Sequence, residues 1–253
     1  RAGVEAKTGI PGLQVMVCCS HTHSGPALPS SDPRRDPFAT GTPEVPPWVD
    51  VMVETLVGVV RQAQDRVQPV QLRFAEGTLA DWSQNRRRVA QGGTLIDPDV
   101  RALVLTGERE QPLAVVVNYA CHPTVMGSKN LVMSAEYPGA MAGLVEAALP
   151  GCIVLFVNGA CANLNPNWFK LESNAFETVE QMGRALGGEV LRMVYTAIAT
   201  QDPERDVVLG ADSLTEQLPL WPQPEEEEAG VLLEAQKALL EQARSGALPS
   251  NPF

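Results

Sequence analysis

Apolar residues follow two rhythms along this chain. Short runs rich in β-branched residues extend from Leu13 to Cys19, Val70 to Ala80, Val100 to Thr106, Leu113 to Tyr119 and Cys152 to Val157. Their length and composition predict buried strands. Pro11-Gly12 bounds the first run, and Glu108-Arg109-Glu110-Gln111 makes a hairpin connection into the fourth. Elsewhere the apolar positions recur three and four residues apart, the spacing of a helix with one face on a core. Trp48 to Val67 carries Val49, Met52, Val53, Leu56, Val59 and Val60 in this way, and Tyr137 to Leu149 is a shorter helix with Pro138 in its first turn. Asn174 and Glu177 make a capping box for a helix to about Ile198, with Phe176, Val179, Met182, Leu186, Val190 and Val194 toward the core. Pro224 to Gly246 is a last helix, whose run from Glu225 to Glu228 suits the positive end of its dipole.

Two segments break the rhythm. Ala27 to Pro47 is rich in Pro, Ser and Asp and predicts an ordered loop near any site formed by the first strand. Trp82 to Arg88 is polar and predicts irregular structure. Strands alternating with helices, three of them running into polar loops, point to an α/β fold with a mixed β-sheet core, packing helices and a site at the strand ends. The expected organisation is a core over about 10–218 and a helical excursion over about 219–249, the whole being a fragment of a larger domain.

The chain has 253 residues, 44% of them hydrophobic, enough for one substantial core. Its formal net charge of -11 argues against a surface that tracks a polyanion, and Arg86-Arg87-Arg88 is too small a basic cluster to reverse that. No nucleic-acid partner is expected. No apolar stretch approaches the roughly 20 residues that span a bilayer, since Ala140 to Val157 is broken by Glu146 and Pro150-Gly151. The first residue is Arg1, so no signal peptide can be read and the compartment, cytoplasmic or secreted, stays open. Five cysteines without a Cys-x-x-Cys spacing predict buried thiols, with Cys161 in a polar turn the exception.

All three histidines fall in two motifs: His21 and His23 in Cys-Ser-His-Thr-His-Ser-Gly-Pro, and His122 in Asn-Tyr-Ala-Cys-His-Pro-Thr. Each motif ends an apolar run. A His-x-His pair at a strand end either chelates one ion or divides the work, one imidazole binding and the other moving a proton. Glu136, in Ser134-Ala135-Glu136-Tyr137-Pro138-Gly139, offers an oxygen ligand, a general base, or simply a carboxylate at a helix start.

These motifs, with Asn-Arg at 85 and 86 and Asn-Leu-Asn-Pro-Asn at 163 to 167, resemble the N-terminal catalytic domain of the neutral/alkaline, non-lysosomal ceramidases, above all the short bacterial ceramidase-like proteins. The resemblance covers roughly residues 10 to 200. It implies a Zn2+-dependent hydrolase of an N-acyl amide bond, with ceramide or another lipid-like amide as substrate, yielding sphingoid base and fatty acid. It implies metal binding by His21 and His122, further ligands lying beyond this chain, and site roles for His23 and Arg86. Where the family carries a catalytic serine this chain has Asn165, which cannot form an acyl-enzyme; metal-activated water becomes the expected nucleophile, with Arg86 and Asn165 as oxyanion donors. The competing expectations are a zinc hydrolase of a different amide or ester, and a non-catalytic scaffold with the same fold.

Overall fold

The computed structural model describes residues 1–26, 46–87, 95–127, 129–168, 171, 173–204 and 206–217, and in the last stretch 230, 231, 233, 234, 237, 238 and 241. The proline-rich loop over 27–45, Arg88 and the acidic run from Glu225 to Glu228 lie outside the described residues, as does most of the predicted last helix; its described positions are helical. Arg1–Asp212 is one compact unit and Ser213–Phe253 a second.

The first unit is built on a mixed four-stranded sheet of β1 (Gln71–Thr78), β3 (Asp99–Thr106), β4 (Pro112–Tyr119) and β5 (Ile153–Asn158), in the order β1-β3-β4-β5. β1, β3 and β4 are antiparallel neighbours, with the predicted tight turn Gly107–Gln111 joining the last two, while β4 and β5 are parallel. A parallel pair needs a long crossover, and helix α3 (Glu136–Ala148) supplies it. Helix α4 (Ala175–Thr200) packs beside α3 over the same face of the sheet. Gly183 lets the two helices approach closely: a Cβ there would overlap the Ala140 side chain and come within 2.9 Å of the Met141 nitrogen.

Alternation sorts the strand residues. Val104, Val115, Val117 and Tyr119 are buried under the helices with Met141, Val145, Met182, Leu186, Val190 and Val194. The opposite face carries a cross-strand row of Phe74, Leu103, Val116 and Leu155, of which Phe74, Leu103 and Leu155 are exposed. Arg73 is the one buried Arg or Lys among the described residues; it bonds Thr106 Oγ1 and the Gln201 carbonyl and pairs with Glu110 at 2.6 Å.

Several expectations are corrected. The run from Leu13 to Cys19 is not a buried strand: Gly12–Gln14 is a 3-10 turn, no strand pairing follows, and Leu13, Met16, Val17, Cys18 and Cys19 are exposed. Its composition suits a pleated surface, but no described strand pairs with it. Before it stands helix α1 (Ala2–Thr8), which packs on α2 (Pro47–Gln64). α2 buries only Val57, so it is helical as expected but leaves Met52, Val53, Leu56 and Val59 exposed. The predicted irregular segment contains strand β2 (Ser83–Asn85), which pairs antiparallel with β6 (Leu164–Pro166) in the Asn-rich turn. Asn174 stands at the N-cap of α4 in the left-handed region (φ 55°) without a side-chain cap, and Phe176 points outward. No described helix is long and apolar enough to cross a membrane.

Candidate metal centre

His122 follows the C-terminal end of β4, where β4 and β5 run parallel, the edge at which α/β sheets gather ligands. It is buried, and its Nδ1 lies 2.6 Å from the Cys161 carbonyl oxygen and 3.1 Å from that of Leu164. Carbonyl oxygens only accept, so Nδ1 carries the proton and Nε2 keeps its lone pair free for an ion. The backbone is held the same way, His122 N–H donating to the Leu164 carbonyl at 2.9 Å. The Leu164 carbonyl of β6 thus holds this histidine by both its backbone and its ring.

His21 and His23 reach the same point from a turn rather than from a strand. His21 has φ 69°, a left-handed conformation that costs a non-glycine residue energy and marks a local constraint. The surrounding turn is pinned throughout. Asn158 Nδ2 donates to the Ser20 carbonyl at 3.0 Å, His23 N–H to the Pro123 carbonyl at 3.4 Å, and Ser134 N–H to the Ser24 carbonyl at 3.0 Å. Thr22, between the two histidines, donates its hydroxyl to the Ser134 carbonyl at 2.9 Å and accepts Ser24 N–H at 3.1 Å.

The outcome is a triad of imidazoles. Ring centroids are 4.7 Å apart for His21 and His122, 5.1 Å for His21 and His23, and 5.6 Å for His23 and His122. One nitrogen of each lies within 4.8 Å of the others. Donors at about 2.0–2.1 Å in tetrahedral coordination stand about 3.3–3.4 Å apart, so the rings draw together to bind an ion. Three imidazole nitrogens suit a tetrahedral site whose fourth position is left to water or substrate. The set is compatible with a bound metal ion. Burial, then the neighbouring His122 and Arg86, hold the His21 imidazole below its ordinary pKa, so it stays in the neutral, ligating form.

Arg86 is brought near by the β2–β6 pairing, its N–H donating to the Asn163 carbonyl at 2.9 Å, and its charge reaches both His21 and Cys161. Asn165 lies on β6 opposite Gln84, buried, with an amide oxygen that accepts no hydrogen bond. Such an orphaned acceptor is costly unless a ligand or water donates to it. Burial pushes the Cys161 thiol up.

Glu136 has neither a ligand's nor a base's position. Its carboxylate accepts Val125 N–H at 3.2 Å and Met126 N–H at 2.8 Å, fixing the turn that follows His122, and Ser134 Oγ receives its own N–H. Burial raises its pKa against the pull of those backbone donors. The backbone carbonyls that orient His122, and the Thr22 brace, left no mark in the pattern of residue types beyond the proximity of Asn163–Asn167 to a strand end.

No family model matches the chain. Neutral ceramidase of Pseudomonas aeruginosa is 25% identical to it over 222 residues, 81% of this chain and 32% of that protein. The chain resembles neutral ceramidase. Its fold agrees with the crystal structure of neutral ceramidase from Pseudomonas aeruginosa at a TM-score of 0.66, with 22% identity over 78% of this chain and 34% of that one. A ceramidase complexed with C2 matches at 0.67, again with 22% identity, over 78% of this chain and 33% of that one. The chain thus spans about a third of the neutral ceramidases it matches.

Proposed function

We propose that this chain carries part of the catalytic centre of a ceramidase-like amide hydrolase, in which His21, His23 and His122 hold a zinc ion and the substrate is a lipid-like N-acyl amide. The observation that carries the reading is the convergence of the three imidazoles, with His122 Nδ1 committed to two carbonyls. The similarity to neutral ceramidase supports amide hydrolysis as the reaction. The catalytic part is the core over about 10–218.

Zinc in such a site supplies Lewis-acid polarisation of the scissile carbonyl and makes water available as a nucleophile near neutral pH. The chain's residues do the rest. Arg86 places a fixed positive charge beside the triad and stabilises the developing oxyanion, a contribution of about 3 to 4 kcal/mol for a well-placed donor. Asn165 stands where the family has its serine and contacts the reacting amide, its amide nitrogen donating to the oxyanion and its unpartnered oxygen open to the substrate N–H. His23, exposed like His21, completes the ion's ligand set in this reading rather than standing apart from it. Attack by water, not by a side chain, gives fatty acid and amine directly.

The test is fatty-acid release from N-acyl amides by zinc-loaded protein, beside zinc content. His122→Ala is expected to lose bound zinc and turnover together, falling to the uncatalysed rate. Full turnover in that variant ends the proposal.

A further inference from the structure

Asn158 ends β5, and its side chain reaches out of the sheet. Its Nδ2 donates to the Ser20 carbonyl at 3.0 Å, while its Oδ1 is buried and accepts no hydrogen bond from the chain. A buried acceptor left without a donor costs free energy that an apolar residue of similar size would avoid. The asparagine is therefore to be explained by what its donor holds.

What it holds is the residue before His21. The peptide unit is planar, so fixing the Ser20 carbonyl fixes the direction of the His21 N–Cα bond, about which the φ of 69° is taken. A residue other than glycine stays in the left-handed region only where its surroundings over-determine it. Downstream, the bond from Thr22 Oγ1 to the Ser134 carbonyl and that from His23 N–H to the Pro123 carbonyl do so, both of them to loops. Upstream, residues 16–19 are exposed and belong to no strand, and the Asn158 amide is the tie to the sheet.

That sheet also carries the other histidine. Asn158 is in register with Tyr119 across the parallel pair, and the chain runs from Tyr119 directly to His122. The two strand ends have little room to shift. Tyr119 is fully buried with its hydroxyl donating to the Leu79 carbonyl at 2.9 Å, and Gly159 N–H donates to the Tyr119 carbonyl at 3.0 Å. A Cβ on Gly159 would come within 2.9 Å of Ala120 Cβ. One rigid frame thus bears His122 through its backbone and His21 through the Asn158 amide, and these two rings are the closest pair of the triad.

We infer that Asn158 is a positioning residue for the ion, setting how tightly the triad binds by holding His21 beside His122 in advance. The inference rests on the reading of the three histidines as a metal centre. A ligand already in place loses less freedom when the ion arrives, so the amide acts on affinity without touching the ion.

The experiment measures zinc affinity of the whole chain by competition with a chromophoric chelator, together with the visible spectrum of the cobalt-loaded protein. Asn158→Leu keeps the side chain's bulk and removes the donor. It is expected to weaken zinc about 10–100-fold, the range for groups that orient a ligating histidine, and to reduce the cobalt absorption that marks a tetrahedral site. Asn158→Gln keeps a donor amide and is expected to recover most of that loss. Should the leucine variant not fold, Asn158→Ala is read in the same way. Wild-type affinity and spectrum in a folded variant without the amide overturn the inference, and so does an equally deep loss in Asn158→Gln, which would assign the effect to packing at the strand end. A wild type that takes up no zinc ends the metal-centre reading and this inference with it; equal uptake by the wild type and the leucine variant overturns the inference alone.

Discussion

His122 and Glu136 are the two residues that make the site what it is, and they were unequally legible. The histidines announced themselves by scarcity, three in the chain and all in two motifs that end apolar runs. Nothing in residue identity told a ligand carboxylate from a structural one at position 136. The structure decides it by direction: both oxygens of Glu136 face backbone N–H groups. Its pKa is raised above the ordinary value by burial, so the folded state holds the proton more tightly than the unfolded chain does. Its contribution to stability is then full at pH below the unfolded value and is lost as pH rises through the folded one. Urea unfolding of wild type and Glu136→Gln across this range should show the wild type losing stability relative to the variant as pH rises. A pH-independent difference, or one of opposite sign, contradicts this account of the carboxylate.

Among the elements, periodicity located β1, β3, β4 and β5 and both helices that cover them within a few residues, because each of these buries one face. It failed where an apolar pattern lacks a partner. Leu13 to Cys19 reads as a strand by composition, yet no described strand pairs with it, and a strand is defined by its partner. β2 and β6 failed in the opposite sense: three-residue strands made of Ser, Gln, Asn, Leu and Pro carry no periodic signal, although their pairing positions Arg86, Asn165 and the carbonyls that orient His122. The sheet's two faces should differ sharply under substitution. Leu186→Ala, beneath the covered face, is expected to cost about 2–5 kcal/mol, whereas Leu155→Ala, on the exposed row, should stay within about 0.5 kcal/mol. Chemical denaturation of the two variants checks this; equal costs would mean that the outer face is also packed.

For the molecule as a whole, the acidic balance and the absence of a long apolar stretch narrowed the partners without naming one. The ordered set of motifs carried the resemblance, and the agreement in fold with neutral ceramidase over 78% of the chain bears it out as a likeness of architecture. The site's chemistry turns on whether the imidazoles meet on one ion, with Cys18, Cys19 and Cys121 nearby in sequence and the Cys161 carbonyl on His122 Nδ1, none of these cysteines in the triad. Zinc-edge X-ray absorption on the stoichiometrically loaded chain tests that directly. Three imidazole nitrogens at about 2.0–2.1 Å, with no sulfur in the coordination shell, is the predicted result; a sulfur shell near 2.3 Å, or fewer than three imidazoles, would contradict it.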